Sequence, residues 1–299
     1  MRLLTFVSDD GPRAGTFVSD GTVLAIRDLV ADAPTEMLGV ISRFDGIREP
    51  LRQAAGRARG GLDPATAKLL APIPLPRRNV FCVGWNYSEH FQEGANLRAG
   101  QGAPGQQEIP AYPALFSKNP ATVTGPDSAV LFPAPHSEQL DWEVELAVVI
   151  GRSGRDIPED QAMEHVFGYT CANDISVRDV QRRHGGQWFK GKNYDTHLPL
   201  GPWIVTADEI DASSLRVQTR VNGVTKQDSN TRFMVFKIPR LVSEFSAGCR
   251  LQAGDIIITG TPEGVGFARK PPEFMKPGDA VEVEIEGIGV LRNTVTGRT

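Results

Sequence analysis

Apolar and polar positions alternate in short runs along most of the chain, the period-2 signature of strands rather than the 3.6 period of helices. Residues 141–151, DWEVELAVVIG, are the sharpest case. Trp142, Val144, Leu146, Val148 and Ile150 fall on one face of such a strand, and Glu143, Glu145 and Ala147 on the other. Two carboxylates side by side repel unless water, a cation or an arginine intervenes. The pattern therefore has two readings: an antiparallel edge strand with one wet face, or half of a divalent-metal site whose third ligand comes from elsewhere.

Runs of the same kind follow residue 78: NVFCVG, AVLFP, VFGYTCAND, PWIVT, LRVQTRVNG, DIIITGT, AVEVEIEG and GVLRNTV. Turn signals such as Asn222-Gly223 and Pro277-Gly278-Asp279 separate them. Earlier come LLTFV and GTFVSDGTVLAI, where Asp20-Gly21 suits a hairpin turn, then an expected short helix around 35–44. The alternating prolines of APIPLPRR predict an extended connector, dividing a small N-terminal α/β domain over 1–72 from a larger unit over 78–299. The fold class expected is mostly β with short helices, α+β. Residues 94–113, GANLRAGQGAPGQQEIPAYP, show neither period and predict a lid or a disordered insertion.

Composition narrows the function classes. A chain of 299 residues, 40% hydrophobic and 23% charged, is an ordinary globular protein, and a formal charge of -4 supplies no basic field for nucleic acid. No run approaches the roughly 18 apolar residues of a membrane span, and MRLLTFVSDDGPR lacks a signal peptide's apolar core. A cytoplasmic location is expected. Cys82, Cys171 and Cys249 are scattered in apolar runs without metal-ligand spacing and read as buried thiols.

Several stretches carry candidate chemistry. Asp174 ends a predicted strand just ahead of Ser176-Val177-Arg178-Asp179, which fits a Ser-x-x-Asp capping box and predicts a helix from Ser176 to Gly185-Gly186. Arg178 and Gln181 share a face of that helix, as ligand donors would, although a surface ion pair is an equal reading for Arg178. In WNYSEHFQEG, Ser88 can cap a short helical turn, with His90 and Glu93 at i and i+3, where the carboxylate can fix the imidazole tautomer. His136 begins a His-x-Glu motif of the kind found in two-His-one-carboxylate iron sites. Lys190 and Lys192 stand among Trp188, Phe189 and Tyr194, able to meet an oxyanion or to reach solvent. The loop TGTPEGVG lacks the Gly-Lys-Ser/Thr ending of a phosphate loop, while its amides and the Thr261 hydroxyl suit a carboxylate.

Taken in order, VGWNYSEHFQE, DWEVELAVVIG, YTCANDISVRDVQ, GKNYDTHLPLGPW and AGDIIITGTPEGVG resemble the fumarylacetoacetate hydrolase family from about Asn79 to the C-terminus, in particular its acylpyruvase and 2-hydroxyhepta-2,4-diene-1,7-dioate isomerase-like members. The resemblance implies a mixed β-roll behind a small N-terminal domain, paired as a homodimer. It implies Mg2+ or Mn2+ on Glu143, Glu145 and Asp174, a general-base dyad of His90 and Glu93, a catalytic Lys192, and substrate contacts from Arg178, Gln181 and Thr261. The partner it implies is a small 2-oxo acid, and neither nucleic acid nor a membrane is expected. The reaction implied is carbon-carbon bond hydrolysis of an acylpyruvate or other 1,3-dicarbonyl acid by His-activated water, the dication stabilising the enolate that leaves. Oxaloacetate-type decarboxylation, or isomerisation or hydration of a 2-hydroxy-dienoate, is the alternative on the same site. Trp85, where an arginine is frequent, and the long 94–113 insertion depart from the shorter members near the mouth of the site.

Overall fold

In the computed structural model, which describes residues 1–99 and 108–297, the alternating runs form an 11-stranded sheet, a 5-stranded sheet and a 2-stranded ladder. Through the centre of the large sheet runs Val144–Ile150, antiparallel to Val166–Asn173 on one side and to Ile256–Ile258 on the other. Val80–Gly84 lies parallel to Ile256–Ile258, and Ala114–Lys118 closes that edge. The fold is therefore mostly β, as the alternation predicts.

These directions bring four strand ends together. The start of Val144–Ile150 and the ends of Val166–Asn173, Ile256–Ile258 and Val80–Gly84 lie at one margin of the sheet. Both faces of Val144–Ile150 are covered. Val144, Leu146, Val148 and Ile150 pack with Val217, Val283, Ile285 and Leu291 of the 5-stranded sheet and with the helix Ile238–Ser246. Ala147 and Val149 pack the other way, against Met37, Ile41 and Phe44. The wet edge strand does not form: a strand flanked by two others and buried on both faces has no water to offer its glutamates.

A hairpin is present, Gly11–Phe17 pairing with Val23–Ala25, but residues 18–22 connect the strands rather than the two residues Asp20-Gly21 expected to close it; Gly21 has a φ of 82°, which favours a residue without a side chain. The helix expected at 35–44 is Met37–Ser42, and a second, Phe44–Arg57, follows it. Its buried residues Phe44, Ile47, Leu51 and Ala55 recur every three or four positions, a stripe that Gly46, Pro50 and Gly56 disguise in the sequence. Arg2–Ser8 joins the large sheet by pairing with Leu198–Thr206, and Leu3, Ile26, Met37 and Leu51 share a core with Val149, Phe167 and Ile258. Phe44 meets Phe167 edge to face at 4.8 Å.

The helix Ser88–Ala99 extends beyond the expected short turn into the 94–113 segment, and residues 100–107, on which the lid expectation falls, lie outside the described residues. Cys82 and Cys171 are buried, whereas Cys249 is exposed and so departs from its expected burial. No helix among the described residues is long and apolar enough to cross a membrane.

A shared core makes the N-terminal part answerable to the rest. Leu51→Ala, at a fully buried position, is expected to cost about 2–5 kcal/mol and to leave one urea-unfolding transition for the whole chain. Two separate transitions, only the first of them shifted, would instead support the division at 72–78 as two independent units.

Candidate metal centre

The ladder pairs Val144 with Asn173 and Glu145 with Ala172, and the Asp174 N–H donates to the Glu143 carbonyl at 2.9 Å, extending it one step. Residues 143 and 174 thus face each other on the side of the sheet that carries residue 145. The Asn173 side chain accepts from the Glu143 N–H at 3.0 Å and holds that corner. Glu143, Glu145 and Asp174 converge, 4%, 2% and 0% exposed, with one carboxylate oxygen from each within 4.8 Å of the others.

Three buried cations answer them. Lys192 Nζ lies 2.7 Å from Glu143 Oε2 and 2.6 Å from Asp174 Oδ2. Lys118 Nζ sits 2.9 Å from Asp174 Oδ1 and also donates to the Ile175 carbonyl at 3.2 Å. Arg178 reaches Glu143 Oε1 at 2.6 Å through Nη2 and Asp141 Oδ2 at 2.7 Å through Nε. Glu145 is left with the Gly260 N–H, at 2.7 Å, and no ion pair among the described residues. Four carboxylates, Asp141 included, therefore face three cations.

The imbalance shows in the acidities. Burial, with Asp174 and Glu143 nearby, pushes the Glu145 carboxyl well above the ordinary range. Glu143 is just as buried, yet Lys192 and Arg178 draw it down to about 2. Burial weighs against the Lys192 charge, but Asp174 and Glu143 outweigh it and hold its ammonium above its usual value. Three hard oxygen donors with one uncompensated charge fit a magnesium or manganese ion, and Glu143 and Glu145 border a cavity of about 360 Å³ where further ligands can enter.

One wall of that cavity is aromatic. Trp188 packs edge to face on Trp85 at 4.8 Å and on Phe116 at 5.3 Å. A Cβ on Gly84 would come within 2.2 Å of the Trp188 ring, so this close approach requires glycine. The other side carries His90, Arg178, Gln181, Lys192 and Thr261. His90 Nδ1 meets Glu93 Oε1 at 2.8 Å, and Glu93 Oε2 accepts from the Gly264 N–H at 3.0 Å. That carboxylate is fixed from both ends, which leaves Nε2 of the imidazole for a ligand.

Three local expectations change. Arg178 is no surface residue: it is buried, its guanidinium 4.3 Å from the Phe267 ring centroid and its Nη1 donating to Gln181 Oε1 at 3.2 Å. The capping box does not form. Ser176 pairs with Asp141 in the short ladder and turns its hydroxyl to Glu143 at 3.1 Å, so the helix begins at Arg178 without a side-chain cap. His136 is exposed, 6.4 Å from Tyr194 and apart from the cluster, and among the described residues only the carboxylate triad has metal-ligand spacing. The iron reading falls with it. Lys190 is also exposed, 5.4 Å over Tyr194.

Asp141 and Lys118 went unassigned in the sequence. Asp141 shares the parity of Glu143 and Glu145, a signal open to inspection, and it accepts from the Gly266 and Phe267 amides at 2.7 and 3.0 Å. Lys118 ends the run ALFSK with nothing local to distinguish it from a solvated strand end.

Residues 79–296 match the family described as fumarylacetoacetate (FAA) hydrolase C-terminal, and the chain belongs to that family of enzymes. It is 41% identical over 302 residues to a mitochondrial oxaloacetate tautomerase of Bos taurus, covering 99% of this chain and 91% of that one. An oxaloacetate tautomerase of Bacillus subtilis (strain 168) is 45% identical over 229 residues, 76% of this chain and 73% of its own. Among solved structures, maleylpyruvate hydrolase from Sphingobium sp. SYK-6 in complex with manganese (II) ion and pyruvate superposes with a TM-score of 0.80 at 31% identity, covering all of both chains. The mitochondrial relative, aligned along nearly the whole chain, overturns the expected cytoplasmic location.

Two consequences are measurable. In metal-free protein the raised Glu145 pKa contributes stability that is complete below the ordinary carboxylate range and is lost as pH rises through the folded value. Glu145→Gln should therefore melt above wild type by a margin that widens from pH 5 to 8. It should also lose the stabilisation by Mn2+, about 2.7 kcal/mol for wild type at a hundred times Kd, with differential scanning fluorimetry as the readout. Lys118→Met leaves Asp174 Oδ1 without its ammonium, with Lys192 still on Oδ2, and should cost about 3–5 kcal/mol in urea unfolding.

Proposed function

We propose that this chain interconverts the keto and enol forms of a small 2-oxo acid, oxaloacetate or a close dicarboxylate, with Mg2+ or Mn2+. The carrying observation is the buried triad with its uncompensated Glu145, two of whose members, Glu143 and Glu145, border the same cavity as His90, the imidazole that Glu93 holds. The similarity to oxaloacetate tautomerases supports this over the bond-cleaving reaction that the dyad suggests first.

The reaction needs a proton moved from C3 to the C2 oxygen, breaking one C–H bond and forming one O–H bond. A dication held by Glu143, Glu145 and Asp174 would supply positive charge that favours the ionised enol over the ketone. His90 takes the C3 proton on Nε2 and returns it to the oxygen, while Glu93 keeps Nδ1 protonated and the ring aligned. Lys192, charged between Glu143 and Asp174, holds those carboxylates in register and faces the cavity with the same positive charge. Arg178, Gln181 and Thr261 orient the substrate carboxylates. Trp85, Phe116 and Trp188 keep out water that would compete as acid or nucleophile.

Carbon-carbon bond hydrolysis is the second reading, favoured by the 2.8 Å contact between His90 and Glu93, which suits the activation of a water as well as a C–H bond. Following enol-oxaloacetate absorbance with Mg2+ or Mn2+, beside carbon dioxide release and acylpyruvate cleavage, separates the two. Wild type is expected to speed enol decay, His90→Ala to lose about 10²- to 10⁴-fold, and Glu143→Ala to lose metal dependence. Cleavage of acylpyruvates with no effect on enol decay would sink the tautomerase assignment.

A further inference from the structure

Gln227 lies outside the cavity lining, yet one of its four side-chain hydrogen bonds goes to a residue that lines it, Thr261. Its Oε1 accepts from the Val144 N–H at 3.0 Å and from the Thr219 hydroxyl at 2.8 Å. Its Nε2 donates to Thr261 Oγ1 at 2.8 Å and to the Pro262 carbonyl at 2.9 Å. The side chain is 1% exposed and ties the strand that carries Glu145 to the loop that carries Thr261.

The orientation of the amide follows from its partners. Turned over, its NH₂ would confront the Val144 N–H, which only donates, and its oxygen would confront the Pro262 carbonyl, which only accepts. Thr261 Oγ1 therefore receives a hydrogen bond from Gln227. Its own proton meets no acceptor among the described residues, and Thr261 borders the cavity.

We infer that Gln227 is a positioning residue that sets the polarity of the Thr261 hydroxyl, making it an obligate donor toward an oxygen anion of the ligand. This rests on the 2-oxo acid reading above and deepens it. The subsite selects a carboxylate or enolate oxygen and rejects an amide N–H or ammonium in that place, because a donor there would face a donor.

Pyruvate binding to Mn2+-loaded protein, measured by calorimetry, tests this without turnover. Thr261→Val removes the hydroxyl, and Gln227→Glu presents an acceptor that turns the Thr261 proton away from the cavity. Each should weaken pyruvate by about tenfold to a hundredfold, the worth of a hydrogen bond to a charged group. The double variant should be no weaker than Thr261→Val, because Gln227 acts only through that hydroxyl. Thr261→Ser should bind as wild type does. A Gln227→Glu protein that binds like wild type, or losses that multiply in the double variant, would overturn the assignment.

If Gln227→Glu does not fold, Gln227→Met gives the same comparison: a severalfold loss with Thr261 present and none in the Thr261→Val background. Additive losses there overturn the assignment as well. Wild-type protein that binds no pyruvate would overturn the 2-oxo acid reading and this inference together, whereas pyruvate binding without tautomerase activity leaves this inference standing.

Discussion

An uneven set of buried charges governs this molecule. Asp141, Glu143, Glu145 and Asp174 are withdrawn from water, and Lys118, Arg178 and Lys192 are withdrawn with them. Each isolated ion would cost several kcal/mol in such surroundings, so the cluster survives only because nearly every charge has an opposite neighbour within hydrogen-bonding distance. The one left over is an attraction waiting for a cation. It stands on ladder-bonded strand ends rather than on a loose loop, which holds donor atoms to the tolerance that metal binding demands.

The same placement divides the cavity into two kinds of surface. Charged groups come from the strand ends and from the helix at Arg178, while the opposing wall is built of rings packed edge to face. Excluding water strengthens every charge interaction on the polar side. Gly260 shows how tightly loop and cluster are joined: its amide holds Glu145, and a Cβ there would come within 2.7 Å of Asn86.

What could be read from the chain alone divides by the range of the forces involved. Alternation placed Glu143 and Glu145 on one face and Asp174 at a strand end, because pleating is local and strict. The i, i+3 spacing of His90 and Glu93 was likewise local, and the pair meets. The capping box at Ser176 failed because a partner far along the chain, Glu143, outbid the backbone amides for its hydroxyl. Lys118 and Gln227 stayed invisible for the same reason: their partners lie in strands and loops that only the tertiary fold brings near. Phe44–Arg57 shows the reverse, a helix whose apolar stripe outweighs the breakers inside it.

Gly84 and Trp188 compete for one volume, since the indole occupies the space a methyl group at residue 84 would need. That wall cannot drift by single steps. Any side chain at 84 expels the ring, and any smaller residue at 188 opens a void, so reshaping it takes paired changes.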